Sequence, residues 1–219
     1  MAMKRILLLL IGMAGVGLSA GNAVAGGQTR LTDPRQVKNT VFWKQLYPDG
    51  GQTLYCNRAF KAKSILIDAD YIYRPDQIAD FLKCPSLHAC KKKPEFQRMM
   101  SDLHNMFPAL KMVIRDRRNS LFGTVPGNEY KFEDCNYKTT FQETEPRDTA
   151  KGDIARAMLY MHTEYGLPLP GRQDLMRQWN DIDPVDASER KRNDLIEQIQ
   201  GNRNRFIDHP EEVEALFKF

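Results

Sequence analysis

Two oxygen-donating side chains, Asp70 and Asn119, are the best candidates for chemistry in this sequence. Asp70 lies near the polar end of an apolar segment, residues 64–73, whose composition is typical of a strand. Asp68 lies two residues earlier, so both carboxylates project from one face of an extended chain. Carboxylate and amide oxygens suit Mg²⁺, which needs only one or two protein ligands besides water and phosphate oxygens. The sequence therefore indicates a hard-cation site, with turn or capping roles as the alternative for Asp70 and Asn119.

A basic segment precedes Asn119 and could face phosphate groups. Residues 91–118 contain eight basic and three acidic side chains, a balance of +5, whereas residues 119–150 contain three basic and six acidic ones, a balance of −3. Such asymmetry suggests that the basic segment faces phosphates, although a basic run can also serve solubility alone. The eight basic residues are Lys91, Lys92, Lys93, Arg98, Lys111, Arg115, Arg117 and Arg118.

Several other catalytic classes lack their signatures in this chain. The sequence contains no H-E-x-x-H, G-x-S-x-G or Walker motif, which disfavours zinc proteases, serine hydrolases of that type and P-loop enzymes. All four histidines are isolated in the sequence, and isolated histidines are usually structural. They are His88, His104, His162 and His209.

The N-terminus has the composition of a cleaved secretory signal. Two basic residues precede an apolar run, and an Ala-x-Ala site ends at Ala25. We therefore expect residues 1–25 to be a signal peptide and residues 26–219 to form a single domain. No later segment approaches the run of about 18 apolar residues that suggests a membrane span. The mature protein is therefore expected in the periplasm or outside the cell, free of the membrane.

Composition and cysteine content narrow the class of protein further. The chain has 219 residues, 42% hydrophobic and 27% charged, which excludes a disordered, collagen-like or coiled-coil protein. Its formal charge of +4 is mild, so a polyanion must be met by a local patch. The four cysteines allow two disulfides in an oxidising compartment, with three possible pairings, and free or metal-bound thiols are the alternative.

Strand patterns come early in the chain and helical patterns later, which predicts an α+β fold rather than a βαβ array. The clearest helix spans residues 148–165, where an apolar stripe ends at Gly166, a residue suited to a left-handed C′ position. A second apolar stripe predicts a helix from Pro94 through Met106. The remaining predictions are strands over residues 53–56 and 64–73 and helices over residues 172–180, 186–200 and 210–217.

Four ordered blocks carry a resemblance to a known family. They are Ser101-Asp102-Leu103-His104-Asn105-Met106, Arg115-Asp116-Arg117-Arg118-Asn119, the segment 151–161 and Gln200-Gly201-Asn202-Arg203-Asn204. In these blocks the chain resembles the bacterial endonuclease I family, which comprises periplasmic or secreted nucleases of the ββα-metal (His-Me finger) type. The resemblance extends from Leu54 to Asp208. It implies an α+β fold in which mixed helices and a small antiparallel sheet surround a ββα-metal motif.

The resemblance also implies an activity. A member of this family would be a Mg²⁺-dependent, sequence-nonspecific endonuclease that hydrolyses DNA, with RNA as an open alternative substrate. One Mg²⁺ ion would be held by Asp70, at the position of the family's metal-binding acid, and by Asn119. We expect the mature protein to be a monomer.

Tyr71 departs from the family at a chemically important position. With Asp70 aligned on the metal-binding acid, Tyr71 occupies the position of the general-base histidine. Aligning Pro75 on the family's proline would instead place Tyr71 and Ile72 on the acid and the histidine, so the first register is preferred. A tyrosine with a pKa of about 10 is mostly protonated at neutral pH and accepts a proton poorly. The alternative function is therefore a catalytically impaired homologue that acts as a secreted nucleic-acid-binding protein.

The remaining expectations also follow from the resemblance. It suggests disulfides Cys56–Cys135 and Cys84–Cys90, and a supporting role for His104. An arginine that family members often carry shortly before the second cysteine of the latter pair is absent, so neighbouring lysines would supply its charge without its bidentate geometry. The predicted nucleic-acid contacts are Lys91, Lys92, Lys93, Arg115, Arg117, Arg118 and Arg156.

Overall fold

The computed structural model describes residues 26–127 and 129–218. The predicted signal peptide, residues 1–25, lies outside the described residues. The described strands form three small sheets, in which β1 pairs with β2, β3 pairs with β4, and β7 lies between β5 and β6. The strands are β1 (Gly51–Gln52), β2 (Ala59–Phe60), β3 (Ile67–Tyr71), β4 (Met106–Leu110), β5 (Leu121–Phe122), β6 (Lys138–Thr139) and β7 (Glu143–Glu145).

Helices account for most of the remaining regular structure, so the predicted α+β class is confirmed. A π-helix covers Val37–Leu46, and 3₁₀ turns cover Leu103–Asn105, Glu133–Cys135 and Asp148–Ala150. The α-helices are α1 (Pro34–Gln36), α2 (Pro75–Phe81), α3 (Leu87–Cys90), α4 (Pro94–Met100), α5 (Lys111–Arg117), α6 (Lys151–Tyr165), α7 (Gln173–Ile182), α8 (Ala187–Gln200), α9 (Arg205–Asp208) and α10 (Glu212–Ala215).

Strands β3 and β4 and helix α5 form a strand-strand-helix unit. Strands β3 and β4 are antiparallel, with Asp70 opposite Phe107, and α5 begins at the residue after β4 ends. The amide of Lys111 donates to the carbonyl of Leu66 at 2.9 Å, so the start of α5 is held against the start of β3. All five residues of β4 are buried. This unit therefore places the end of β3 and the end of α5 on a rigid base.

Helix α6 forms much of the core, as its sequence predicts. Ile154, Met158 and Met161 are buried, and α6 packs closely against α7. The helix ends at Gly166, whose φ of 67° is the left-handed conformation that glycine adopts without a steric penalty. The prediction of a helix ending at this glycine is confirmed.

Two predicted elements are wrong. The helix expected from Pro94 to Met106 ends at Met100, and a 3₁₀ turn then leads into β4. Apolar residues continue at helical spacing because the strand that follows is itself fully buried, and periodicity does not separate these two cases. The strand expected over residues 53–56 is a turn, in which the amide of Asn57 donates to the carbonyl of Thr53 at 2.8 Å.

The structure contains two disulfides, one between cysteines far apart in the sequence and one between cysteines close together. Cys56 is bonded to Cys135 and Cys84 to Cys90, which are the pairings that the family resemblance suggests. The first bond ties the turn between β1 and β2 to the 3₁₀ turn that precedes β6. Within the described ranges, no helix combines the length and apolar character needed to cross a bilayer.

Candidate metal and nucleic-acid site

Asp70 lies at the end of β3 in an almost buried position, with its side chain 9% exposed. Its Oδ2 accepts hydrogen bonds from Arg117 Nη1 and from the Tyr55 hydroxyl, both at 2.8 Å. Its Oδ1 accepts the amide of Tyr71 at 2.9 Å. The carboxylate is therefore held in one orientation, with Oδ2 committed to two protein donors.

Arg117 joins the end of α5 to the end of β3. Besides binding Asp70, Nη1 donates to the carbonyl of Tyr71 at 2.9 Å, and Nη2 donates to the carbonyl of Ile72 at 2.8 Å. Its side chain is 3% exposed. The prediction that Arg117 contacts nucleic acid is wrong, because its guanidinium is buried and engaged by the protein itself.

Asn119 lies in the turn that follows α5. The turn begins at Arg118, whose φ of 45° is left-handed, and closes where the amide and hydroxyl of Ser120 donate to the carbonyl of Arg117 at 2.9 and 2.6 Å. Asn119 is exposed in this turn. Since Arg117 binds the end of β3, the structure brings the segments that carry Asp70 and Asn119 together. Metal binding by the two side chains stays a prediction.

Tyr71 is partly buried beside charged groups. Lys38 Nζ lies 5.6 Å from the centre of its ring and 3.6 Å from Asp68 Oδ2. Burial raises the pKa of the Tyr71 phenol above its ordinary value, and the negative charges of Asp68 and Asp70 raise it further. The phenol is therefore protonated at neutral pH, and an even smaller fraction of it is present as the proton-accepting phenolate than in an exposed tyrosine.

Tyr55 is a second tyrosine at the site, and sequence reasoning missed this role. Its side chain is buried, and its ring packs edge to face against Tyr137 with centroids 5.9 Å apart. Burial raises the pKa of Tyr55 well above its ordinary value, opposed by the charge of Arg117. The hydroxyl therefore remains protonated and donates to Asp70. The one available signal was the neighbouring Cys56, which anchors this segment through a disulfide.

Removing only the Tyr55 hydroxyl should destabilise the protein measurably. Tyr55→Phe deletes a buried hydrogen bond to a charged group, so we expect the free energy of unfolding to fall by about 1.5–3 kcal/mol. Tyr137→Phe is a matched control, because Tyr137 is the other ring of the same aromatic pair. The contact of its hydroxyl with the Thr144 hydroxyl is longer, at 3.4 Å. Urea unfolding of both variants measures the difference. Equal losses in both would show that Tyr55 does not support Asp70.

Five of the predicted nucleic-acid contacts lie on the surface. These side chains are Lys91, Lys92, Lys93, Arg115 and Arg118. The lysines follow α3, whose position is held by the Cys84–Cys90 disulfide, and Lys93 Nζ also donates to the carbonyl of Leu82 at 3.0 Å. Their contact with nucleic acid stays a prediction.

Arg156 does not belong to this surface, so its predicted contact with nucleic acid is wrong. Its side chain is buried in α6 and forms an ion pair with Glu189 on α8, with Nε 2.9 Å from Oε1. Nη1 donates to Asn180 Oδ1 at 3.1 Å and to the carbonyl of Asp183 at 2.9 Å. Arg156 therefore links α6, α7 and α8 within the core.

Comparison with known proteins places the chain in a family. The family model of endonuclease I matches residues 85–211, which is more than half of the chain. A periplasmic deoxyribonuclease from Aeromonas hydrophila is 33% identical over 172 residues, which cover 75% of this chain and 73% of that protein. The chain belongs to the endonuclease I family.

Other relatives in the endonuclease I family share shorter regions. An extracellular deoxyribonuclease from Aeromonas hydrophila is 40% identical over 123 residues, which cover 54% of each chain. An extracellular ribonuclease from Bacillus subtilis is 38% identical over 136 residues, which cover 53% of this chain and 46% of that protein. The chain thus spans about half the length of these two relatives. Membership identifies it as a hydrolase of the class that acts on phosphodiester bonds.

His104, which lies in one of the blocks that resemble endonuclease I, is buried in the protein. Its Nε2 lies 3.3 Å from the carbonyl of Asn202, and its backbone amide donates to Asp102 at 2.9 Å. Asp102 also accepts hydrogen bonds from Tyr160, Tyr165 and Gln200, at 2.7, 2.6 and 2.9 Å. These contacts are those of a scaffold residue.

Acid should destabilise this endonuclease I member through His104. Burial is the main reason that the pKa of His104 falls from 6.5 to about 4, and the nearby charge of Arg192 adds to this shift while the charge of Asp102 opposes it. The unfolded chain therefore takes up a proton before the folded one does, and stability present above pH 6.5 is lost as the pH falls towards 4. Between pH 7 and pH 5 we expect a loss of about 2 kcal/mol from this group.

The variant His104→Gln isolates this contribution, because its amide nitrogen can still donate towards Asn202 but does not titrate. Urea unfolding at pH 7 and pH 5 should show a smaller loss for the variant than for the wild-type protein. Identical losses in the two proteins would show that His104 does not control stability in this range.

Proposed function

We propose that this chain is a Mg²⁺-dependent, sequence-nonspecific endonuclease that hydrolyses DNA in the periplasm or outside the cell. The observation that carries the proposal is the contact between Arg117 and Asp70, at 2.8 Å, which brings the end of β3 to the turn containing Asn119. The names of the deoxyribonuclease relatives support DNA as substrate, and those of the Bacillus ribonucleases keep RNA as a second substrate. A monomer suffices, since the proposed ligands come from one chain.

The oxygen donors at this site fit a Mg²⁺ ion. Asp70 Oδ1 accepts one backbone amide and retains capacity for a cation, whereas Oδ2 is occupied by two donors. Asn119 offers an exposed amide oxygen. Among the described residues, no group of three or more His, Cys, Asp or Glu side chains could hold a metal. A site with one carboxylate and one amide suits Mg²⁺, which keeps water and phosphate oxygens as its other ligands.

Each residue of the site has a distinct part in the proposed reaction. Asp70 and Asn119 would hold the ion, which when bound would stabilise charge on the phosphate and lower the pKa of a bound water. Arg117 and Tyr55 keep Oδ2 of Asp70 engaged, so that the carboxylate does not rotate. Arg118 and the exposed lysines that follow α3 attract the phosphate backbone. Tyr71 occupies the base position as a protonated phenol.

Tyr71 also favours a second candidate function. The pKa of its phenol is raised by burial and by Asp68 and Asp70, so the residue at the base position does not accept a proton at neutral pH. Loss of a positioned base typically lowers a rate by about 10²- to 10⁴-fold. The second candidate is therefore a secreted protein that binds nucleic acid and cleaves it slowly or not at all.

Nicking of supercoiled plasmid by the purified mature protein separates the two functions. The endonuclease proposal predicts nicking with Mg²⁺ and none with a chelator. Intact plasmid with Mg²⁺, together with plasmid binding at low salt, would favour the second function. Because phosphate contacts are strongest at low salt, failure to bind plasmid there would reject both.

A further inference from the structure

The most exposed large apolar side chain in the described part of the chain, Phe141, lies at the tip of a tight hairpin. Strands β6 and β7 pair Thr139 with Thr144, and the amide of Thr140 donates to the carbonyl of Glu143 at 2.8 Å. Phe141 and Gln142 are therefore the two residues of the loop. The Phe141 side chain is 89% exposed.

The loop is fixed, so this exposure is a property of its geometry. The Thr140 hydroxyl accepts hydrogen bonds from the amides of Gln142 and Glu143 at 3.2 and 2.9 Å. Two-residue hairpin loops favour residues such as Asn and Gly, and a phenylalanine provides neither the turn geometry nor a buried contact. Positions that break such local rules are often functional. Phe141 is therefore a candidate for contact with a ligand.

The hairpin adjoins the turn that carries Asn119. The amide of Leu121 donates to the carbonyl of Gln142 at 2.8 Å, and β5 runs parallel to β7 with Leu121 beside Glu143. Asn119 lies two residues before Leu121, and Phe141 lies one residue before Gln142. Backbone dimensions therefore limit the separation of their Cα atoms to about 16 Å. The hairpin tip therefore lies within that distance of the turn that carries the proposed ligand Asn119.

We propose that Phe141 stacks on an unpaired nucleobase of the substrate. This inference rests on the proposed function, because it assigns a base-binding position next to the proposed phosphate-binding site. Arg118 is exposed beside Asn119 and provides a neighbouring phosphate contact. Aromatic side chains stack on any base, so the contact suits a nuclease without sequence preference. A base in a duplex is already stacked and paired, so Phe141 gives a preference for single-stranded nucleic acid.

Fluorescence provides a direct test, because the chain has two tryptophans and both are buried, Trp43 at 7% and Trp179 at 2% exposure. The variant Phe141→Trp adds one exposed fluorophore at the hairpin tip. Titration with a short single-stranded oligothymidylate in EDTA and low salt should quench its emission to saturation. The control Ile65→Trp replaces a side chain that is 85% exposed before the start of β3, at the opposite end of this strand from Asp70, and should stay unquenched.

Affinity provides an independent test with the same oligonucleotide. We expect Phe141→Ala to weaken binding by about 5- to 150-fold, the range for loss of one stacked base, and Phe141→Tyr to keep wild-type affinity. Binding of a matched duplex should change less in Phe141→Ala than binding of the single strand. Circular dichroism confirms that each variant is folded.

The possible outcomes distinguish this inference from the proposed function. If the wild-type protein binds the oligonucleotide but Phe141→Ala binds it equally well and Phe141→Trp is unquenched, the stacking inference is overturned and the nuclease proposal stands. If the wild-type protein neither binds the oligonucleotide nor nicks plasmid, both are overturned. Quenching of Phe141→Trp together with the affinity loss supports the stacking position.

Discussion

Replacing Tyr71 with histidine is expected to raise the rate of Mg²⁺-dependent plasmid nicking by about 10²- to 10⁴-fold. A histidine has an ordinary pKa near 6.5 and can accept a proton from water at neutral pH. The Tyr71 phenol does not, because burial and two nearby carboxylates raise its pKa. Initial rates of nicking at pH 7.5 with the metal in excess measure the effect.

The variant Tyr71→Phe is the matched control for this prediction. It keeps the ring beside Lys38 and removes only the hydroxyl, so its nicking rate should equal that of the wild-type protein. A large fall in Tyr71→Phe would show that the phenol takes part in the reaction. An unchanged rate in Tyr71→His would contradict the assignment of this position to the general base.

Removal of the Cys56–Cys135 disulfide is expected to lower the free energy of unfolding by about 4.5 kcal/mol. The two cysteines are 79 residues apart in sequence, so the bond restricts a long loop in the unfolded chain. The double variant Cys56→Ala/Cys135→Ala removes the bond without leaving a free thiol. Urea unfolding under non-reducing conditions measures the loss.

The second disulfide provides an internal comparison. Cys84 and Cys90 are six residues apart, so Cys84→Ala/Cys90→Ala should cost only about 2 kcal/mol by the same loop-entropy argument. A loss for this short loop that equals or exceeds the loss for the long one would contradict the argument. The order of the two values is therefore the sharper test.

Local patterns predicted α6, α7 and α8 well, whereas the helix expected over residues 210–217 covers only Glu212–Ala215. The apolar stripe of α6 and Gly166 at its end are local signals, and Asp186 caps α8 by accepting the amide of Glu189 at 2.8 Å. The same reasoning failed after Met100, because β4 is buried on both faces and its apolar residues extend the helical pattern. Helical periodicity was thus informative only where a polar face alternated with the apolar one.

The same difference applies to the predicted site residues: the sequence identifies those whose role depends on residue type, but not those whose burial depends on partners far along the chain. Asp70 and Asn119 were identified from residue type and family resemblance, whereas the burial of Arg117 and Arg156 depends on partners far along the chain. Arg117 pairs with a carboxylate 47 residues away, and Arg156 pairs with Glu189, 33 residues away. Charge in the sequence does not show whether an arginine faces solvent or a buried partner.

Binding of Mn²⁺, a spectroscopic substitute for Mg²⁺, tests the central claim most directly. Electron paramagnetic resonance should show one Mn²⁺ per chain, with affinity reduced about 10-fold or more by Asp70→Asn and by Asn119→Ala. Asp68→Asn, on the same strand but paired with Lys38, should bind like the wild-type protein. Wild-type affinity in both Asp70→Asn and Asn119→Ala would contradict the account.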